Sequence, residues 1–233
     1  MSESIKTIAL VHGAFADGSC WSKVIGLLAA RGLTAVAVQN PLSSLADDVA
    51  ATHRVLDMQE GPVLLVGHSW GGAVITEAGN HPKVASLLYV AASAPDTEKP
   101  FQDWSAEYPM APGIARVAPY GGDGYLALPR ADVARFFVPD VPQDEAEMVW
   151  AVQNPIAARC FADTISRPAW REKPSWYVVA EKDEMIPPQA QRDLAARMNA
   201  TVLALASGHV PMLSQPAAVA DFIAKAAASS TKS

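Results

Sequence analysis

The hydrophobic pattern changes period several times along the first third of the chain. Ile5 to Val11 is a short apolar run of strand character. From Ser22 to Arg31, Val24, Leu27, Leu28 and Arg31 recur at helical spacing, and Gly32 follows where a left-handed C-terminal residue belongs. Thr34 to Val38 predicts the next strand. Leu45 to Met58 predicts a helix with Leu45, Val49, Thr52, Val55 and Leu56 on one face. Pro62 to Val66 predicts a strand, Gly71 to Gly79 a helix and Val84 to Val90 a strand. Short strands alternating with helices imply parallel strands joined by crossover helices, so the expected class is α/β, a mostly parallel sheet with helices on both faces.

The alternation stops near Ser93 and resumes at Ser175 to Ala180. It continues through a helix at Pro188 to Met198, a strand at Thr201 to Ala206 and a helix at Ala217 to Ala228. Between these stretches lie many prolines, most of the aromatics and no clear strand. A structureless loop of that length is uncommon inside a compact domain. Short helices are expected at Ala131 to Phe137, Asp144 to Val152 and Ile156 to Thr164. The whole 1–233 chain is therefore read as one domain, with a helical cap inserted at about 93–173.

The 233 residues suit one such domain, and 50% apolar against 18% charged residues supply a sizeable core. The net charge of -6 and the lack of Lys/Arg clusters give no basis for nucleic-acid binding. No apolar run reaches the roughly 18 residues needed to span a bilayer, so no membrane partner is expected. Cys20 and Cys160 have no metal-ligand or disulfide-framework spacing and read as reduced structural thiols. Without a basic, apolar leader, a cytoplasmic location is expected. A dimer is possible, but nothing in the sequence selects an oligomeric state.

The sharpest chemical signal is Gly67-His68-Ser69-Trp70-Gly71, preceded by an apolar strand and followed by a helical run. A serine hydroxyl is a weak nucleophile and must stand clear of its neighbours. A tight strand-to-helix turn presents it, and glycines on both sides let strand and helix approach. The helix that follows aims its N-terminal donors at charge developing beside Ser69. One oxyanion donor should be the N–H of Trp70. The other should come from the loop after the first strand, His12-Gly13-Ala14-Phe15, with Ala14 first and Phe15 second. His12 and His68 read as supporting residues, His53 and His81 as surface ones.

An activated serine needs a base, and the base needs an orienting acid. His209, in Ser207-Gly208-His209 after the last strand, is the only histidine in the second half of the chain. The acid candidates are Asp183, Glu181 and Glu184 after the preceding strand, and Asp96 after the fourth. Asp183 is favoured by its place in a loop that Pro187 closes. All these loops fall at the C-terminal edge of the sheet, where open α/β sheets carry their sites.

The His-Gly loop, Gly-His-Ser-Trp-Gly-Gly, Glu-Lys-Asp-Glu-Met-Ile-Pro and Ser-Gly-His-Val-Pro resemble the α/β-hydrolase superfamily, in its compact esterase branch with plant methyl esterases and hydroxynitrile lyases. The resemblance spans nearly everything outside the cap. It implies a triad of Ser69, Asp183 and His209, an oxyanion hole at Ala14 and Trp70, and no metal or organic cofactor. The expected substrate is a small hydrophobic ester or lactone, contacted by Phe15, Trp104, Phe136 and Phe137, while most other cap aromatics pack the cap onto the core. Three other readings share the scaffold. A hydroxynitrile lyase would carry a lysine beside the histidine, where this chain has Val210, Pro211 and Met212. A cofactor-free haloperoxidase or perhydrolase would share the triad. A non-catalytic ligand-binding module could retain it.

Overall fold

The computed structural model describes residues 4–96, 103 and 105–229. Six strands form one parallel sheet: β1 (Thr7–Val11), β2 (Thr34–Val38), β3 (Val63–His68), β4 (Val84–Val90), β8 (Ser175–Ala180) and β9 (Thr201–Leu205), in the order β2-β1-β3-β4-β8-β9. Every residue of β1, β3 and β8 is buried, as expected for parallel strands covered on both faces. At the sheet edges β2 and β9 are partly exposed.

Helices α1 (Ser22–Ala29), α2 (Leu45–Asp57) and α3 (Gly71–Ala78) connect the first four strands. From β1 the chain steps outward to β2, then returns past β1 to β3 and β4. Right-handed crossovers therefore put α1 on one face and α2 and α3 on the other. Accordingly, α2 packs on α3, and α1 packs on the C-terminal helix Pro216–Ser229. The reversal between β1 and β3 opens a crevice at their C-terminal ends, where ligands bind in open α/β sheets.

The α2 face differs from the expected one. Its buried residues are Leu45, Asp48, Ala51, Thr52 and Leu56, while Val49 and Val55 are half-buried. The face is rotated so that a carboxylate, Asp48, points into the protein.

The stretch between β4 and β8 also departs from expectation. It contains a small antiparallel sheet, β5 (Ala118–Tyr120), β6 (Tyr125–Ala127) and β7 (Ile156–Ala157), where no strand was expected. Strands of two or three residues are too short to show a period, and Pro119 sits on an edge strand, where a missing N–H is tolerated. Ile156 to Thr164 is accordingly not one helix: β7 is followed by a 3-10 turn, Ala158–Ala162. Arg130–Asp132 is a single helical turn continued by a π-helix, Val133–Phe137. Helix α4 (Gln143–Val152) forms close to its expected limits.

Specific bonds tie this stretch to the sheet. Ala157 N–H donates to the Leu42 carbonyl at 2.8 Å, and Leu45 N–H to Asp163 Oδ2 at 2.8 Å. Gly208 N–H donates to Asp140 Oδ2 at 2.8 Å. No helix among the described residues is long and apolar enough to cross a membrane.

Candidate active site

Ser69 sits between β3 and α3 with φ +52°, a left-handed conformation that is uncommon outside glycine. Such strain costs on the order of 1–3 kcal/mol and persists only where the surroundings over-determine it. Here the Ser69 N–H donates to the Val90 carbonyl at 3.2 Å, and the Ser69 carbonyl accepts from Gly72 N–H and Ser93 N–H. The turn also needs bare backbone. A methyl group on Gly67 would lie 2.5 Å from the Gly71 carbonyl oxygen.

His209 reaches the same point from the loop after β9. Its Nε2 lies 2.8 Å from Ser69 Oγ, and its Nδ1 lies 2.7 Å from Asp183 Oδ2. His209 and Asp183 are almost fully buried. The arrangement fits a neutral imidazole that donates from Nδ1 to the carboxylate and accepts the serine proton at Nε2.

Asp183 is fixed from every side. Oδ1 accepts from Met185 N–H at 2.7 Å and Ile186 N–H at 3.0 Å, and Oδ2 also accepts from Gln191 Nε2 at 2.7 Å. Gln191, on helix α5 (Pro188–Arg197), has its own Oε1 held by Ala180 N–H. The rival acids lie elsewhere: Asp96 is paired with Arg171, Glu181 with Arg192, and Glu184 is exposed.

On the other side of Ser69 is the loop after β1. A methyl on Gly13 would lie 2.6 Å from Ser69 Cβ, so only glycine lets this backbone come so close. Phe15 is itself left-handed, at φ +59°. His12 closes the loop from behind. It accepts from Asn40 N–H at Nε2 (2.9 Å) and donates from Nδ1 to the Gly13 carbonyl (2.8 Å), and burial lowers its pKa. His68 donates from Nε2 to the His209 carbonyl at 2.9 Å. Burial, and then the neighbouring His209 ring, hold His68 well below the usual imidazole range, so it stays neutral beside the base. His53 and His81 are half-buried rather than fully exposed, with ring centroids 5.3 Å apart.

A mainly apolar cavity opens above Ser69, the kind of concavity in which small organic ligands bind. Ala14, Phe15, Trp70, Phe137 and His209 line it, together with Tyr108, Ile114, Phe161, Met185 and Ile186. Of the expected substrate contacts, Phe15 and Phe137 line it. Phe136 does not: one step earlier on the π-helix, its ring lies under the Arg135 guanidinium instead. Trp104 lies outside the described residues. Trp70, Tyr108, Ile114 and Phe161, which were not among the expected contacts, also line it.

Three supporting residues escaped the sequence reading. Gln191 and Asp140 carry no local signal. Asp48 carried one: it lies three residues after Leu45 and four before Thr52, at the spacing of the buried face.

Fold and site together define a carboxylic ester hydrolase of the serine type. A family model described as the alpha/beta hydrolase family matches residues 8–222, and the chain belongs to that family. It is 28% identical to a pyrethroid hydrolase of Sphingobium wenxiniae, over 95% of this chain and 87% of that protein. It is 24% identical to methylesterase 1 of Arabidopsis thaliana, over 94% of both. Among solved structures it resembles a pyrethroid hydrolase from Sphingobium faniae, with a TM-score of 0.80 at 23% identity over 95% of this chain and 97% of that one. Polyneuridine aldehyde esterase gives 0.81 at 19% identity, over 95% and 98%.

Proposed function

We propose that the protein hydrolyses small, neutral, apolar carboxylic esters or lactones through an acyl-enzyme, with Ser69 as nucleophile, His209 as general base and Asp183 as the acid that orients it. The observation that carries this is the unbroken chain from Asp183 through His209 to Ser69 Oγ at the floor of an apolar cavity. Ser69 Oγ bonds to the acyl carbon while its proton moves to His209 Nε2. The carbonyl electron pair is left on oxygen, facing the Trp70 and Ala14 N–H groups. One such donor contributes about 3–4 kcal/mol to transition-state stability. Collapse breaks the bond to the alcohol, which leaves with the proton from His209. Water then repeats the sequence and frees the acid.

Among the described residues no Lys, Arg, Asp or Glu lines the cavity, which favours an uncharged substrate. Relatives named as a hydrolase and a methylesterase favour ester hydrolysis over perhydrolysis or ligand binding alone. We read residues 1–233 as one domain, with 93–173 as the cap that closes the substrate side. The two buried, unpaired thiols support a reducing compartment such as the cytoplasm.

Turnover of p-nitrophenyl acetate and labelling by a fluorophosphonate test the reading. Both are expected in the wild type and absent in Ser69→Ala. Full activity in the variant overturns the assignment.

A further inference from the structure

Asp48 is fully buried on α2, yet it belongs to none of the groups that carry the reaction. Its two oxygens point in different directions. Oδ1 accepts from Leu42 N–H at 2.8 Å, and Oδ2 accepts from the Trp70 indole Nε1 at 2.8 Å. Trp70 directly follows the strained Ser69, and its backbone N–H is the oxyanion donor proposed above. Its indole is nearly buried and meets the Phe161 ring edge-on at 5.6 Å.

We propose that Asp48 is a positioning residue for the oxyanion hole: by anchoring the Trp70 indole, it holds the backbone N–H after Ser69 in line with the developing negative charge. The inference rests on Ser69 being the nucleophile. A buried carboxylate is costly unless both oxygens are satisfied. A well-packed helix start would be served equally by an apolar pair at positions 48 and 70. The charge instead clamps one atom, Nε1, at the far end of a rigid side chain. With one end fixed by Asp48 and the ring face set by Phe161, the Trp70 backbone cannot rotate to relax the turn at Ser69. The proposed donor is thus held before substrate arrives, which is what makes such a donor effective.

The same carboxylate has a second link. Leu42, held at φ +56°, accepts through its carbonyl from Ala157 N–H in β7. An Asp48 that served only this cap link would affect substrate binding and not the chemical step. The experiment therefore separates kcat from KM for Asp48→Asn, Trp70→Phe and the double variant, using p-nitrophenyl acetate.

Asparagine offers one acceptor where two donors wait, and phenylalanine removes the indole donor. We expect kcat about tenfold lower in each single variant, with KM within about twofold, and no further loss in the double variant. An Asp48→Asn variant with wild-type kcat, a loss confined to KM, or losses that multiply in the double variant would each overturn the proposal. If Asp48→Asn does not fold, Trp70→Phe alone decides: an unchanged kcat overturns the proposal and a tenfold fall supports it. A wild type inactive on esters and unlabelled by the phosphonate overturns the functional reading, and this inference with it. An active wild type with an unaffected Asp48→Asn overturns this inference alone.

Discussion

Two walls face each other across Ser69, and they are built on opposite principles. The sheet-side wall is a polar lattice: Asp183 accepts four hydrogen bonds, and the His12 ring is fixed at both nitrogens. The cap-side wall, from Tyr108 through Phe161, is mainly apolar and is carried on turns, short 3-10 segments and one π-helix. Groups that move protons must be placed to within a fraction of an ångström. An apolar surface that only excludes water tolerates far more variation. Changes on the first wall should therefore alter the chemical rate, and changes on the second should alter which substrate binds.

The largest effect should come from Ser69→Ala. Loss of the nucleophile is expected to lower kcat/KM on the order of 10⁴-fold or more, with cooperative unfolding retained. Residual turnover above a tenth of wild type would break the comparison at its root. Next comes Gly13→Ala. The added methyl would lie 2.6 Å from Ser69 Cβ and 3.0 Å from the His68 carbonyl, so the oxyanion loop must retreat. A fall of about 100-fold in kcat is expected, since displacements near 1 Å can cost that much. Steady-state kinetics together with a melting curve separates this from simple unfolding.

The same contrast explains what the sequence made legible. Ser69, Asp183 and His209 each follow a strand with a strong apolar signature, so their places at one sheet edge could be read before any coordinates. Cap elements such as β5 and β7 have no period to read, because their pairing is set by contacts distant in sequence, such as Ala118 with Ala127 and Leu126 with Ile156. Phe136 and Phe137 look alike in sequence, and only the local π-helix decides which ring enters the cavity. Asp48 was hidden for another reason: a charged residue within an amphipathic helix reads as solvated until its partners are known.

The buried carboxylate also sharpens the contrast through pH. Burial raises Asp48 to about 6, partly offset by its bonds from Trp70 and Leu42, with Asp47 and Asp163 adding smaller upward pushes. A carboxyl raised on folding binds protons more tightly in the native state. Its stabilising contribution is therefore full below the unfolded value, near 3.9, and is lost as pH rises through 6. The wild type should gain stability relative to Asp48→Asn on going from pH 7.5 to pH 5, by about 1.4 kcal/mol. Depressed imidazoles such as His68 act in the opposite direction but equally in both proteins, so they cancel in the difference. Urea unfolding of both proteins at the two pH values measures it. A difference that does not change with pH would mean that Asp48 does not titrate in this range.

The smallest effect should appear on the cap wall. Ile114 opens the 3-10 turn Ile114–Arg116, lines the cavity and is 42% exposed, so the fold buries it only in part. Ile114→Ala removes three carbons. Full burial against a substrate would make them worth about 0.8 kcal/mol each, and partial contact reduces the sum to about 1 kcal/mol. That corresponds to a KM about fivefold higher for a long-chain p-nitrophenyl ester, with kcat within about twofold. For the acetate, whose acyl group is too short to reach far up the wall, KM should change little. The two esters thus serve as mutual controls: a shift that grows with chain length locates Ile114 on the binding wall. A fall in kcat common to both esters would show that the cap wall also shapes the chemical step, and the division between the two walls would fail there.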